Sequence, residues 1–132
     1  MEGGCLCGAV RLRIEAAPVN SGYCHCRFCQ LNSGAPVVAF VEVPLAAFAY
    51  IKGTPGVFRS SDWGQREFCA ACGSFLVYRN RNAATTVSIN TASLDNPAPF
   101  APTHHVFASR RIPWFDTADD LPRHPEFGPQ AD

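Results

Sequence analysis

Lysine occurs once, at Lys52, and no run of Lys or Arg appears anywhere in the chain. The 11 basic residues are balanced by 11 acidic ones. This argues against an extended nucleic-acid footprint or a polybasic membrane patch. Long apolar runs are also missing. The most apolar stretch, residues 35–51, is interrupted by Pro36, Glu42 and Pro44 and is too broken to span a bilayer. The segment Met1-Glu2-Gly3-Gly4-Cys5 has neither a basic n-region nor an apolar h-region, so no secretory signal is read. The expected compartment is the cytoplasm, where thiols stay reduced. Internal repeats and low-complexity blocks are absent as well.

What remains is a chain of 132 residues, 47% of them hydrophobic, enough for the core of one compact domain. Ten Gly and 11 Pro punctuate it too often for long helices. Residues 9–15 alternate apolar and charged side chains, as a half-buried strand does. Residues 37–43, 48–52, 56–60, 75–79, 85–90 and 104–108 read as further short strands. Arg66 precedes a cysteine pair on another. Residues 27–31 suit a helical turn, and residues 118–121 at most one short helix. The expected fold is mainly β, small antiparallel sheets in a single domain over 1–132. Its core spans about 3–115, with an irregular Pro-rich tail.

Cysteine is the richest signal. Seven thiols are an odd number and cannot all pair as disulfides. They cluster as Cys5-Leu6-Cys7, Cys24-His25-Cys26-Arg27-Phe28-Cys29 and Cys69-Ala70-Ala71-Cys72. Zinc takes tetrahedral sulfur and nitrogen ligands, and a structural site fills all four positions. The Cys69-x-x-Cys72 pair followed by Gly73 reads as a zinc knuckle; a redox dithiol or two buried thiols is the alternative, and the βαβ setting of a thioredoxin-like motif is absent. On an extended strand residues i and i+2 share a face, so Cys5 with Cys7, or Cys24 with Cys26, can reach one metal. Spacing therefore favours a closed four-thiolate site of Cys5, Cys7, Cys69 and Cys72, and an open three-thiolate site of Cys24, Cys26 and Cys29. A zinc ribbon pairing Cys26 and Cys29 with Cys69 and Cys72 is the alternative. It needs a gap far longer than the usual ~15–20 residues and strands the other three thiols.

A zinc ion in three thiolates carries net charge of about −1, which disfavours hydroxide formation. Capture and ionisation of a fourth, exogenous thiol suits it better. That points to making or breaking a carbon–sulfur bond on a small thiol substrate. A zinc deaminase is excluded, because His124-Pro125-Glu126 follows both Cys-x-x-Cys pairs and Phe68, not Pro, precedes Cys69.

The segments 3–11, 24–29, 64–74 and 93–97, with His105 and residues 109–114, resemble the glutathione-dependent formaldehyde-activating enzyme family. The resemblance implies a β-tent fold of antiparallel sheets around zinc. It implies a structural zinc at Cys5, Cys7, Cys69 and Cys72, and a second zinc at Cys24, Cys26 and Cys29. The implied activity is condensation of formaldehyde with glutathione, a carbon–sulfur lyase reaction, with a small thiol such as glutathione or its adduct as partner. Gln30 and Leu31 stand where many members carry two basic residues. Candidate substrate contacts are then Gln30 and Arg66, the latter able to hold a carboxylate by a bidentate contact.

The other residues have plainer readings. His25, between two ligands, should point away from the metal, toward solvent or a neighbouring side chain. His104 and His105 suit a hydrogen-bonded core, and His124 a solvated tail. Trp63 and Trp114 are expected to pack. A non-catalytic zinc-stapled module that binds a partner protein is the alternative function. It would lack a concave, open pocket at the three-cysteine site and would expose an apolar patch elsewhere.

Overall fold

A computed structural model describes residues 1–129, leaving the last three of the expected domain outside the described residues. Ten strands form two sheets. In chain order they are β1 (Glu2–Gly4), β2 (Arg11–Ile14), β3 (Asn20–Cys24), β4 (Val38–Pro44), β5 (Phe48–Lys52), β6 (Gly56–Arg59), β7 (Gly64–Phe68), β8 (Phe75–Asn80), β9 (Thr86–Asn90) and β10 (His105–Val106). One sheet has three strands in the order β1-β2-β5, and the other seven in the order β10-β3-β4-β9-β8-β7-β6. All pairs are antiparallel except β10 with β3. The mainly β architecture of antiparallel sheets is the one expected.

The core lies between the sheets. Leu12 and Ile14 of β2 meet Val41 and Val43 of β4, Leu76 and Val77 of β8, and Val87 and Ile89 of β9. Period-two alternation puts Val41, Val43, Val77, Val87 and Ile89 on one face of the large sheet, Leu76 joins them at the register irregularity of β8, and the opposite face is left for other use. The only α-helix among the described residues, α1 (Arg27–Ser33), follows β3 directly. It runs two residues beyond the expected turn. No helix forms over 118–121: Asp119 Oδ1 accepts the Leu121 N–H, and Arg123 reaches back to the Asp119 and Thr117 carbonyls. Among the described residues no helix is long and apolar enough to cross a membrane.

The Pro-rich tail is not a loose wrap. His105 N–H donates to the Pro122 carbonyl at 2.8 Å, His124 N–H to the His105 carbonyl at 2.9 Å, and Phe107 N–H to the Glu126 carbonyl at 2.7 Å. The tail thus runs as an extra rail along β10 and carries Phe127 to Pro129 over the free face of the large sheet.

A second link between the sheets is polar. Glu67 of β7, 3% exposed, accepts from Tyr50 Oη of β5 at 2.7 Å, from Gln65 Nε2 at 2.8 Å and from the Arg79 guanidinium. Burial pushes its carboxyl up, but Arg79, Tyr50 and Gln65 together outweigh it and hold the group below the usual carboxylate range. Stability from this group is therefore present above the unfolded carboxyl pKa of about 4.3 and lost as pH falls through the lower folded value. Arg79→Ala leaves an unpaired buried carboxylate and should cost about 3–5 kcal/mol at pH 7. Urea unfolding at pH 7 and pH 3 checks it: the gap between the variant and the parent should shrink at the lower pH.

Candidate metal centres and the adjoining cleft

Four thiols meet where the two sheets join. Cys5 and Cys7 sit in the turn after β1, and Cys69 and Cys72 in the turn between β7 and β8. Their Sγ atoms all lie within 4.8 Å of one another. Cys5 and Cys7 are 3.6 Å apart and Cys7 and Cys69 are 3.7 Å apart. These separations match the edge of about 3.8 Å for a tetrahedron with metal–sulfur bonds of about 2.3 Å. They are far beyond the ~2.05 Å of a disulfide. Turn chemistry aims the sulfurs. Gly73, at φ 78°, adopts the left-handed conformation that closes the knuckle, and its N–H donates to the Cys69 carbonyl at 2.7 Å. Val10 N–H donates to Cys5 Sγ at 3.2 Å. The Ser74 hydroxyl beside Cys72 Sγ, with backbone N–H groups, pulls that thiol down to about 5.

Cys5 and Cys7 therefore converge through a turn, not through the strand geometry expected. The ribbon partition is also overturned, because Cys69 and Cys72 gather with Cys5 and Cys7.

The other three thiols form a second group, again with all Sγ atoms within 4.8 Å. Cys24 ends β3, Cys26 caps α1, and Cys29 lies in its first turn. Cys26 Sγ accepts the Cys29 N–H at 3.3 Å, so the sulfur serves as the helix cap. Close contact with Cys24 and Cys29 pulls Cys26 down to about 2. Cys26 and Cys29, with burial, push Cys24 far above the usual thiol range. Three packed sulfurs cannot all ionise without a cation between them. Both clusters thus have the donor chemistry and spacing to hold a thiophilic metal ion.

Arg66, on β7, is 5% exposed, and its Nη1 is 3.7 Å from Cys29 Sγ. Its guanidinium lies 4.7 Å from the Tyr78 ring centroid. It is thus a counter-charge to the thiol group and lines the same cleft. Gln30 does not line that cleft. Buried in α1, its Nε2 donates to the His25 carbonyl at 2.9 Å and more weakly to the Pro36 and Arg110 carbonyls. Its amide is thereby committed to holding the helix against its neighbours, which corrects the reading of Gln30 as a substrate contact.

The cleft covers the free face of the large sheet and measures about 290 Å³. Cys24, Cys26 and Cys29 lie at one end, Asn20 and Glu42 at the other, with Phe40, Phe75, Tyr78, Phe107 and Phe127 between. Trp63 lines it at 48% exposure, whereas Trp114 is 77% exposed and packs little, against expectation.

His25 is buried rather than solvent-facing. Its Nε2 pairs with His105 Nδ1 at 2.8 Å, and His105 Nε2 pairs with Asp119 at 3.1 Å. Burial first, then His105, holds His25 below its ordinary range and therefore neutral. This chain buttresses the Cys24–Cys26 segment from behind. Sequence reasoning missed it because Asp119 lies 14 residues beyond His105 in the irregular tail. His104 is buried too, and His124 is half-buried, edge-on to it at 5.8 Å.

Comparison with known proteins shows what the chain resembles. A family model described as glutathione-dependent formaldehyde-activating enzyme matches residues 1–110. A Schizosaccharomyces pombe protein named as an uncharacterized lyase is 29% identical over 89 residues, 67% of this chain and 64% of that one. The match thus spans less than two thirds of that relative's length. The crystal structure of a Rhodobacter sphaeroides protein, a structural-genomics target, aligns with a TM-score of 0.66 at 23% identity. It covers 80% of this chain and 100% of that one, a likeness of fold.

Proposed function

Because the chain belongs to the glutathione-dependent formaldehyde-activating enzyme family, we propose that it is a lyase-type enzyme making and breaking a carbon–sulfur bond of a small thiol adduct. Zinc is the metal that an all-sulfur donor set with these separations fits. In this reading Cys5, Cys7, Cys69 and Cys72 hold a structural ion, while Cys24, Cys26 and Cys29 hold the ion at the reacting end of the cleft. The carrying observation is the asymmetry between the clusters. Four sulfurs close one, whereas three sulfurs open the other onto a cleft walled by aromatic rings.

When bound by three thiolates, zinc lowers the pKa of a thiol that reaches it, supplying a nucleophile. The net reaction adds thiol to aldehyde: a sulfur–carbon bond forms, the carbonyl π bond breaks, and the thiol proton ends on the new hydroxyl oxygen. The chain's own residues set the stage. Arg66 offsets the thiolate charge, Phe28 and Tyr78 flank its guanidinium, and the aromatic walls limit water at the reacting atoms. The concave cleft supports this reading over that of a stapled binding module.

Cobalt substitution tests it. Titrating the cobalt-loaded protein with a small thiol should raise sulfur-to-cobalt charge-transfer absorption. That rise should vanish in Cys29→Ser while the cobalt in the four-cysteine site remains. An unchanged spectrum with every thiol tried would refute the proposal.

A further inference from the structure

The cleft has a charge pattern that bears on what enters it. In the β3–β4 pairing Asn20 faces Glu42, Gly22 faces Phe40 and Cys24 faces Val38. Asn20, Gly22 and Cys24 share one face, as do Glu42, Phe40 and Val38. Four residues separate the Glu42 level from the Cys24 level, which at about 3.3 Å per residue is roughly 13 Å. Gly22 keeps the floor low between them: a Cβ there would meet Phe40 at 2.9 Å and His104 at 3.0 Å. Aromatic rings wall the span.

At the far end Glu42 is the one carboxylate that lines the cleft, and it forms no ion pair among the described residues. One of its oxygens accepts from Asn20 Nδ2 at 2.9 Å, and the other has no hydrogen-bond partner among them. His104, 4% exposed and with its Nε2 unpartnered, lines the floor beside Gly22. The one guanidinium in the lining, Arg66, is held against Cys29 and Tyr78 at the opposite end. The next guanidiniums, of Arg59, Arg79 and Arg81, line a neighbouring cavity that shares Trp63, Asn80, Ala83 and Thr86 with the cleft but not Glu42.

We infer that the cleft selects a thiol with an apolar body and a cationic, hydrogen-bond-donating far end seated on Glu42, in preference to a doubly anionic thiol. This rests on the thiol-capturing reading of the three-cysteine site. Glu42 is then a specificity residue, and like-charge repulsion from it rejects a carboxylate tail.

Cobalt-loaded protein would be titrated with aminooctanethiol, octanethiol, mercapto-octanoic acid and glutathione, following the charge-transfer band. The amine-ended thiol should bind at least about tenfold more tightly than the acid-ended one, with octanethiol between. In Glu42→Gln the amine and the acid should converge. Equal affinities in the parent protein, tighter binding of glutathione than of aminooctanethiol, or an unaltered preference in Glu42→Gln would each overturn the inference while thiol capture stood. Silence of the band toward all four thiols would sink thiol capture itself, and the inference with it. The comparison within the parent protein decides the matter even if the variant fails to fold.

Discussion

Cys72→Ser is expected to unfold the protein at ordinary temperature. The four-sulfur cluster joins the turn after β1 to the turn between β7 and β8, so it ties the small sheet to the large one. Cys5 and Cys69 are themselves part of the core cluster. Structural zinc contributes on the order of 10 kcal/mol to small folds, whereas a whole domain is stable by about 5–15 kcal/mol. Removing one ligand of four, and with it most of the metal's affinity, consumes that margin. Far-UV circular dichroism and metal content, read together on the purified variant, provide the check. Loss of about one metal equivalent with collapse of the strand signal is the expected pair. A variant that keeps the parent's melting temperature would mean the cluster is not the staple between the sheets.

The opposite outcome is expected of Cys29→Ser. Cys24, Cys26 and Cys29 lie at the edge of the cleft, not between the sheets, and α1 touches the remainder mainly through β4. The variant should stay folded and lose the second metal. Its thiol-dependent turnover should fall at least about 100-fold, since even partners behind metal ligands cost 10–100-fold. Thermal melts, metal analysis and steady-state rates separate the two cases. Equal unfolding by both substitutions would erase the division between a stapling site and a reacting one.

How far the sequence foretold this depends on how local each feature is. The thiol groups were legible because their members sit two or three residues apart, and the fold needs only to bring two such units together. Residues 48–52 read correctly as a strand. β3 did not, because Asn20-Ser21-Gly22-Tyr23-Cys24 has no apolar alternation, and its strand geometry comes from pairing with β4 on one side and β10 on the other. β1, only Glu2-Gly3-Gly4, is likewise a strand by virtue of its partner. Gln30 was misjudged because the helix runs longer than one turn and rolls that side chain inward onto carbonyls. The roles of Glu42, His104 and Asp119 depend on the tail folding back along β10, a long-range event with no local signature.

The two sulfur groups also differ in when each can capture an ion. Cys24, Cys26 and Cys29 occupy six consecutive positions, whereas Cys7 and Cys69 are 62 residues apart. Closing the longer loop costs on the order of 2 kcal/mol more in chain entropy than closing the shorter one. A growing polypeptide presents the compact trio complete once Cys29 emerges, well before Cys69 exists. Any ion loading during synthesis would therefore be ordered, with the trio of Cys24, Cys26 and Cys29 ready first and the sheet-joining set complete only once Cys72 is made, just past the middle of the chain.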